Sequence, residues 1–413
     1  MDTVENNEGT MLIIGGGLAG ATAAATLREE GFTGPVALIG NEDQVPYIRP
    51  PLSKGFLAGK DSEESLLPYP QEWYAQNNVE LITGLSASAI NPAEHSVTLS
   101  DGSTRSYQKL LLATGASPRV IPFPGAGLEG VQYFRTKADS QRLRKELAGG
   151  GRRLVLVGSG WIGMEIAATA RELGNDVTLM GLEEIPLSAA IGPEIGAAFA
   201  ARHREAGVQF RLPASAKEIR GDGGRVTAVV TTTGETLPAD LVVIAVGVVP
   251  DTALAEAAGL TLGNGIRVDS ALRTSDPDIF AAGDVANALH PVTGEYARSE
   301  HWANAIASGK VAGRSMLGKD AVLDEIPYFY TDQFDIGMEY SGYAALTRDA
   351  DLVIRGSLET REFIAFWLRG GKVVAGMNVN VWDVQDAIKA LVSSGRTVDP
   401  ERLADPEVAL EDL

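Results

Sequence analysis

Short, wholly apolar runs recur along this chain, and several of them end directly in glycine. Leu12, Ile13 and Ile14 lead into Gly15, Gly16 and Gly17, after which Ala19 to Leu27 is rich in small, helix-forming residues. The order predicts a buried strand, a tight turn and a helix. In such a unit Gly15 permits the turn, Gly17 lets a pyrophosphate approach the backbone, and Gly20 lets the helix sit close on the strand. The next apolar run, Val36 to Ile39, ends just before Glu42, at the distance where an acidic side chain meets an adenosine ribose.

The theme returns after a break at Gly149 to Gly151. Arg153 to Gly163 reads RLVLVGSGWIG, with Gly158, Gly160 and Gly163 in the same spacing and a small-residue helix from Met164. Two copies of one supersecondary unit predict two nucleotide sites. Asp176 to Met180 supplies the next strand of the second copy, Leu241 to Val246 closes it, and Gly247 lies at the exit.

Between and after the copies the pattern changes. Pro46 to Lys54, PYIRPPLSK, reads as an extended loop because proline disfavours helix there. Ser96 to Leu99, an Asp101-Gly102 turn and Leu110 to Ala113 predict a hairpin and a buried strand running into Thr114 and Gly115. Ile279 to Asp284 is a strand ending in a glycine and an acid, with Asp284 a possible helix cap. Ser299 to Met316 is a helix that opens with Glu300, His301 and Trp302. From Tyr328 the chain turns to strands over Leu352 to Ile354, Phe363 to Leu368 and Val373 to Val379, and the acidic tail from Asp399 reads as a short helix or frayed end.

A chain of 413 residues requires two or three domains. It has no cysteine, which removes disulfides, iron-sulfur ligation, thiolate zinc sites and thiol mechanisms, so redox chemistry would run on a bound cofactor. No metal site is expected. The net charge of −19 argues against a nucleic-acid partner. The polar, acidic first ten residues and the short Met11 to Ile14 run predict neither a secretory leader nor a membrane span, hence a cytoplasmic location.

Taken in order, GGGLAG, PYIRPPLSK, ATGASPR, VGSGWIGMEIA, TSDPDIFAAGD and YFYTDQFD resemble the FAD-dependent, NAD(P)H-using ferredoxin reductases of bacterial oxygenase systems. The resemblance implies an α/β fold with two Rossmann-like dinucleotide-binding domains in the glutathione-reductase-like arrangement, plus a C-terminal α+β domain. The FAD domain would comprise residues 1–115 and 246–323, the NAD domain 116–245 and the C-terminal domain 324–413. It implies that Gly15, Gly17, Ala19, Gly20, Glu42, Arg49, Lys54, Ala113, Thr114, Gly115, Arg135, Gly247, Gly283, Asp284, Glu300, His301 and Trp302 line the cofactor sites, mostly around FAD. Gly158, Gly160, Ile162, Gly163 and Glu165 would face the nicotinamide nucleotide. Lys54 and Glu165 would meet beside the flavin and act in catalysis. The activity implied is transfer of electrons from NADH through FAD to a one-electron acceptor, a [2Fe-2S] ferredoxin serving an oxygenase or cytochrome P450. Related readings are reduction of a small acceptor, such as monodehydroascorbate or a quinone, and a signalling flavoprotein like apoptosis-inducing factor.

The chain departs from that family's pattern at two places. Gly181 stands where an acid usually ends the second NAD-domain strand, and Ala189 or a neighbour stands where an arginine is usual. Glu183 or Glu184 is expected to hold the ribose diol instead. No lysine or arginine lies between Arg171 and Arg202 to hold a 2′-phosphate, so NADH is favoured over NADPH. Tyr330, beside Phe329, replaces a tryptophan common in the C-terminal segment and can still stack near the nicotinamide or flavin. An acidic ferredoxin would need a local basic patch, for which Arg348, Arg355, Arg361, Arg369 and Lys372 are candidates.

Overall fold

The computed structural model describes residues 9–413; most of the polar opening segment, on which the expectation about leaders partly rests, lies outside the described residues. The chain packs as two compact units. The first comprises residues 9–48, Glu63–Ser117 and Val249–Pro327, and the second Arg49–Ser62, Pro118–Val248 and Tyr328–Leu413. The units thus differ in outline from the three-domain division: the Arg49–Ser62 segment and the C-terminal strands both pack with residues 118–248.

In the first unit, a parallel sheet runs in the order Ile279–Ala281, Lys109–Leu112, Met11–Ile14, Val36–Ile39, Val79–Ile82. Apart from Glu80 and Lys109 its strands are apolar, as covered faces require, and Leu12, Ile13, Leu38, Leu111 and Phe280 are buried. The helix Leu18–Glu29 follows the first strand, and the helix Trp302–Met316 packs along it. That approach depends on small residues: a Cβ on Gly309 would lie 2.7 Å from the Ala19 carbonyl oxygen, and one on Gly313 would lie 2.9 Å from Thr26 Cβ. Trp302–Met316 begins three residues later than the pattern predicts, leaving Ser299, Glu300 and His301 in the preceding loop. The hairpin at Asp101-Gly102 returns into the polar strand Thr104–Ser106, while Lys109–Leu112 joins the parallel sheet.

The second unit repeats the topology. Its parallel sheet runs Gln209–Arg211, Asp176–Met180, Arg153–Val157, Leu241–Ile244, Val131–Tyr133. In both sheets the strand that feeds the glycine turn is central, flanked by the next strand on one side and the closing strand on the other. That reversal of strand order opens a crevice at the strands' carboxyl ends, where open α/β sheets take ligands. The second helix, Trp161–Glu172, starts three residues before the predicted Met164.

The same unit carries an antiparallel sheet in the order Tyr328–Gln333, Ile336–Gly342, Lys372–Val379, Glu362–Arg369, Asp351–Ser357, against which the helix Gln385–Ser394 packs. Asp399 caps the short helix Pro400–Ala404 by accepting from the Glu401 amide. In PYIRPPLSK the last residues are not extended: Pro50–Ser53 forms a 3-10 turn, with proline at its start where no amide donor is needed. Among the described residues no helix is long and apolar enough to cross a membrane.

Candidate functional site

Three glycines in each turn have three different reasons to be glycine. Gly15 has φ +129°, and a Cβ there would lie 2.0 Å from the Ala113 carbonyl oxygen. A Cβ on Gly20 would lie 2.2 Å from the Gly15 carbonyl oxygen. Both are fixed by the protein's own packing. Gly17 is different: its backbone is ordinary extended (φ −92°, ψ −175°) and a Cβ would meet nothing within 4 Å. Nothing in the protein demands glycine there, and the open space leaves room for a ligand against the backbone. The helix Leu18–Glu29 has no side-chain cap, so its first-turn amides face the same space and suit a pyrophosphate.

The second turn repeats this arrangement. Gly158 has φ +121° with its Cβ position 2.0 Å from the Ala245 carbonyl oxygen, and a Cβ on Gly163 would lie 2.1 Å from the Gly158 carbonyl oxygen. Gly160 (φ −81°, ψ −173°) would meet nothing within 4 Å, and its helix again lacks a side-chain cap. Ile162 is exposed in the first turn of that helix. Both turns therefore fit dinucleotides on the evidence of their own geometry.

Around the first turn, Glu42 accepts from the Tyr47 hydroxyl at 2.7 Å. Thr114 Oγ1 donates to the Asp251 carbonyl at 2.8 Å, and the Gly115 carbonyl accepts from the Asp251 amide at 3.0 Å, so Ala113–Gly115 is tied to the segment that re-enters the unit. Gly283, at φ +73°, has its amide bound to Ser308 Oγ at 2.9 Å and its Cα face 3.0 Å, measured from a Cβ position, from Ala19 Cβ. Asp284 lies in the 3-10 turn Gly283–Val285 and does not cap it; the cap position is Ala282. Glu300 pairs with Arg298 at 2.6 Å. Burial lowers the His301 pKa to about 4 against the opposing pull of Asp284, so the imidazole beside Trp302 is neutral.

The remaining expected residues lie in the second unit. Arg49 donates to the Arg135 carbonyl at 2.7 Å. Lys54 Nζ lies 3.1 Å from Glu165 Oε1, with both side chains largely buried. Three further residues, which the motifs did not single out, complete this centre. Ser53 Oγ donates to Glu165 Oε2, Thr331 Oγ1 donates to Glu165 Oε1 at 2.6 Å, and Gln333 Nε2 donates to Thr331 Oγ1 at 3.1 Å. The turn that presents Ser53 and Lys54 is itself pinned, since Ser140 Oγ and Thr169 Oγ1 donate to the Leu52 and Ser53 carbonyls at 2.6 and 2.9 Å. Thr331 and Gln333 alternate on one face of their strand and are both buried, a period-two polar pair that is visible in the sequence.

Lys54 also sits 5.5 Å from the Tyr330 ring centroid, within cation-π range. Lys54, Tyr330 and Asp332 help to line a cavity of about 320 Å³ in this unit. Burial raises the Asp332 pKa, with Lys54 opposing and Glu165 adding to the rise. Burial likewise raises that of Tyr330, which keeps its hydroxyl protonated.

Glu183 Oε2 accepts from Ser188 Oγ at 3.0 Å and from the Ala189 amide at 3.5 Å. Glu184 is exposed, and Gly247, at φ +90°, has its carbonyl bound to the Arg119 amide at 2.9 Å. Of the candidate basic patch, Arg355 is spent on the Pro406 and Val408 carbonyls and Arg361 on Glu205 at 3.0 Å.

Residues 9–309 match the pyridine nucleotide-disulphide oxidoreductase family and residues 328–413 the reductase C-terminal family. The chain is similar to rhodocoxin reductase of Rhodococcus erythropolis, with 35% identity over 405 residues, 97% of this chain and 93% of that protein. It is similar also to the ferredoxin–NAD(+) reductase component of the anthranilate 1,2-dioxygenase system of Burkholderia cepacia, with 38% identity over 404 residues, 97% of this chain and 98% of that one. Among solved structures it resembles the covalent putidaredoxin reductase–putidaredoxin complex, with a TM-score of 0.94, 34% identity and 98% of each chain covered.

Proposed function

Because the chain belongs to the pyridine nucleotide-disulphide oxidoreductases and ends in their reductase C-terminal domain, we propose that it passes electrons from NADH through FAD to a ferredoxin that serves an oxygenase or cytochrome P450. The observation that carries this reading is the pair of turns in which Gly17 and Gly160 have no internal reason to be glycine. Two such turns in one cysteine-free chain fit a donor and a carrier with no thiol relay between them. The near-full-length likeness to ferredoxin reductases supplies the acceptor class.

Bound FAD supplies the chemistry that the side chains lack, taking two electrons from NADH as hydride and releasing them singly. The chain's own residues hold and orient. Residues 1–115 and 246–323 would serve FAD, the first-turn amides of Leu18–Glu29 holding its pyrophosphate and Glu42 its ribose. Residues 116–245 serve the nicotinamide nucleotide, and 324–413 contribute Tyr330 and Thr331 to the Lys54 centre. Glu165, locked by Ser53 and Thr331, holds the Lys54 ammonium at one place, where a fixed positive charge would favour an anionic form of a neighbouring cofactor. A cytoplasmic location belongs to the same proposal, since NADH is a cytoplasmic donor.

The test is anaerobic stopped-flow mixing of the purified FAD-loaded protein with NADH, followed by cytochrome c reduction with and without an added [2Fe-2S] ferredoxin. Bleaching of the flavin band and strict dependence on the ferredoxin are expected. A flavin that NADH leaves oxidised overturns the donor, and reduction that is indifferent to every ferredoxin tried, yet fast with a quinone, replaces the acceptor by a small molecule.

A further inference from the structure

The end of the strand Asp176–Met180 is where a nucleotide-binding fold of this topology places a carboxylate for the adenosine ribose, and here the position is Gly181. A Cβ on Gly181 would lie 2.1 Å from Ser159 Oγ and 2.6 Å from Ser159 Cβ. The hydroxyl could rotate away, but Cβ could not, so a side chain at 181 and a side chain at 159 exclude one another. Ser159 is itself the residue between Gly158 and Gly160, buried within the turn, with its carbonyl accepting from the Leu187 amide at 3.3 Å. Its Oγ therefore stands at the root of the path that a carboxylate side chain would take from the strand end.

Two charged neighbours have partners of their own. Glu183 Oε2 is held by Ser188 Oγ at 3.0 Å. Arg211, which pairs with Met180 across the adjacent strand, gives its Nε to both oxygens of Glu235 at 2.9 Å. Position 181 itself thus carries no acid to repel a 2′-phosphate, Arg211 is committed to Glu235, and the next acids, Glu183 and Glu184, come two and three residues further along.

We infer that Ser159 is the specificity-determining residue at the adenosine ribose of the nicotinamide nucleotide, and that Ser159 and Gly181 form a linked pair in which a hydroxyl has taken the place of the carboxylate. The inference rests on the reading that the second glycine turn binds NADH. A neutral hydroxyl can donate to or accept from a ribose diol but exerts no charge repulsion, so the preference for NADH over NADPH is modest. An acid can be restored at 181 only when Ser159 is removed.

Isothermal titration of the FAD-loaded full chain with NAD+ and with NADP+ tests this, alongside thermal unfolding. Ser159→Ala weakens NAD+ binding about three- to tenfold, the worth of one hydrogen bond. Gly181→Glu alone lowers Tm and does not improve selectivity, because its Cβ is forced against Ser159. Ser159→Gly with Gly181→Glu recovers Tm and raises the NADP+ to NAD+ ratio of Kd at least about tenfold, a non-additive result. Unchanged NAD+ affinity in Ser159→Ala overturns the ribose contact, and a selectivity gain in Gly181→Glu alone at parental Tm overturns the linkage. Gly160→Leu separates the two levels: its side chain has open space and an allowed backbone, so it folds and blocks the turn. If it still binds NAD+ as the parent does, the nucleotide lies elsewhere, and the underlying reading falls together with the inference.

Discussion

Lys54 and Glu165 are brought to 3.1 Å of one another by two elements of the second unit, the 3-10 turn Pro50–Ser53 and the helix Trp161–Glu172. Removing one partner of a buried pair leaves the other charge without compensation. Glu165→Ala is therefore expected to cost about 3–5 kcal/mol in urea unfolding at neutral pH, and Glu165→Gln less. The same variant should retain its flavin while being reduced by NADH more slowly. If Glu165→Ala and Lys54→Ala are both reduced at the parent rate with an unshifted flavin potential, the pair is purely structural.

Thr331→Val keeps the shape of a buried side chain and deletes the hydroxyl that donates to Glu165. It also removes the acceptor for Gln333 Nε2. A loss of about 1–3 kcal/mol is expected, the cost of leaving buried polar groups unsatisfied, read as a lowered urea midpoint at unchanged m-value. Thr331→Ser should recover most of it.

The two kinds of glycine in the first turn should fail differently. Gly15→Ala meets a backbone oxygen at a left-handed φ and should lower expression and Tm. Gly17→Leu projects into open space, so the protein should fold with parental far-ultraviolet circular dichroism yet carry little FAD, measured as the flavin-to-protein absorbance ratio. A Gly17→Leu protein with a full complement of FAD would place the pyrophosphate elsewhere.

His203 is fully buried, with Nδ1 2.9 Å from the Phe199 carbonyl and Nε2 3.1 Å from the Met164 carbonyl, next to the residue that bears the Glu165 carboxylate. Burial lowers its pKa, outweighing the two carbonyls. The unfolded chain then takes up more protons than the fold as pH drops below about 6.5. The stability contributed by the neutral ring is complete above that pH and is lost as pH falls towards the folded value. Urea midpoints measured from pH 7.5 to 5 should decline less steeply in His203→Leu than in the parent, and parallel profiles would show that His203 does not titrate there.

The sequence by itself determined the two strand–glycine–helix units, because everything that specifies them is contiguous. The apolar run buries the strand, the glycine spacing shapes the turn, and the small residues let the helix close on it, all within one supersecondary element. It also determined the chemistry available, since a chain without cysteine has no thiol to offer. The meeting of Lys54 with Glu165 was already implied by the family resemblance of their motifs. Only the tertiary structure decided which further side chains surround Glu165: Ser53, Thr331 and Gln333 come from segments whose meeting depends on how a proline-started turn, a helix and a remote antiparallel strand pack, and no local pattern encodes that. It decided also that Glu183 turns to Ser188, that Arg355 and Arg361 are consumed by internal partners, and that Ser159 fills the place beside Gly181. A residue's type states which bonds it can make; only the fold sets which partner arrives within 3 Å of it.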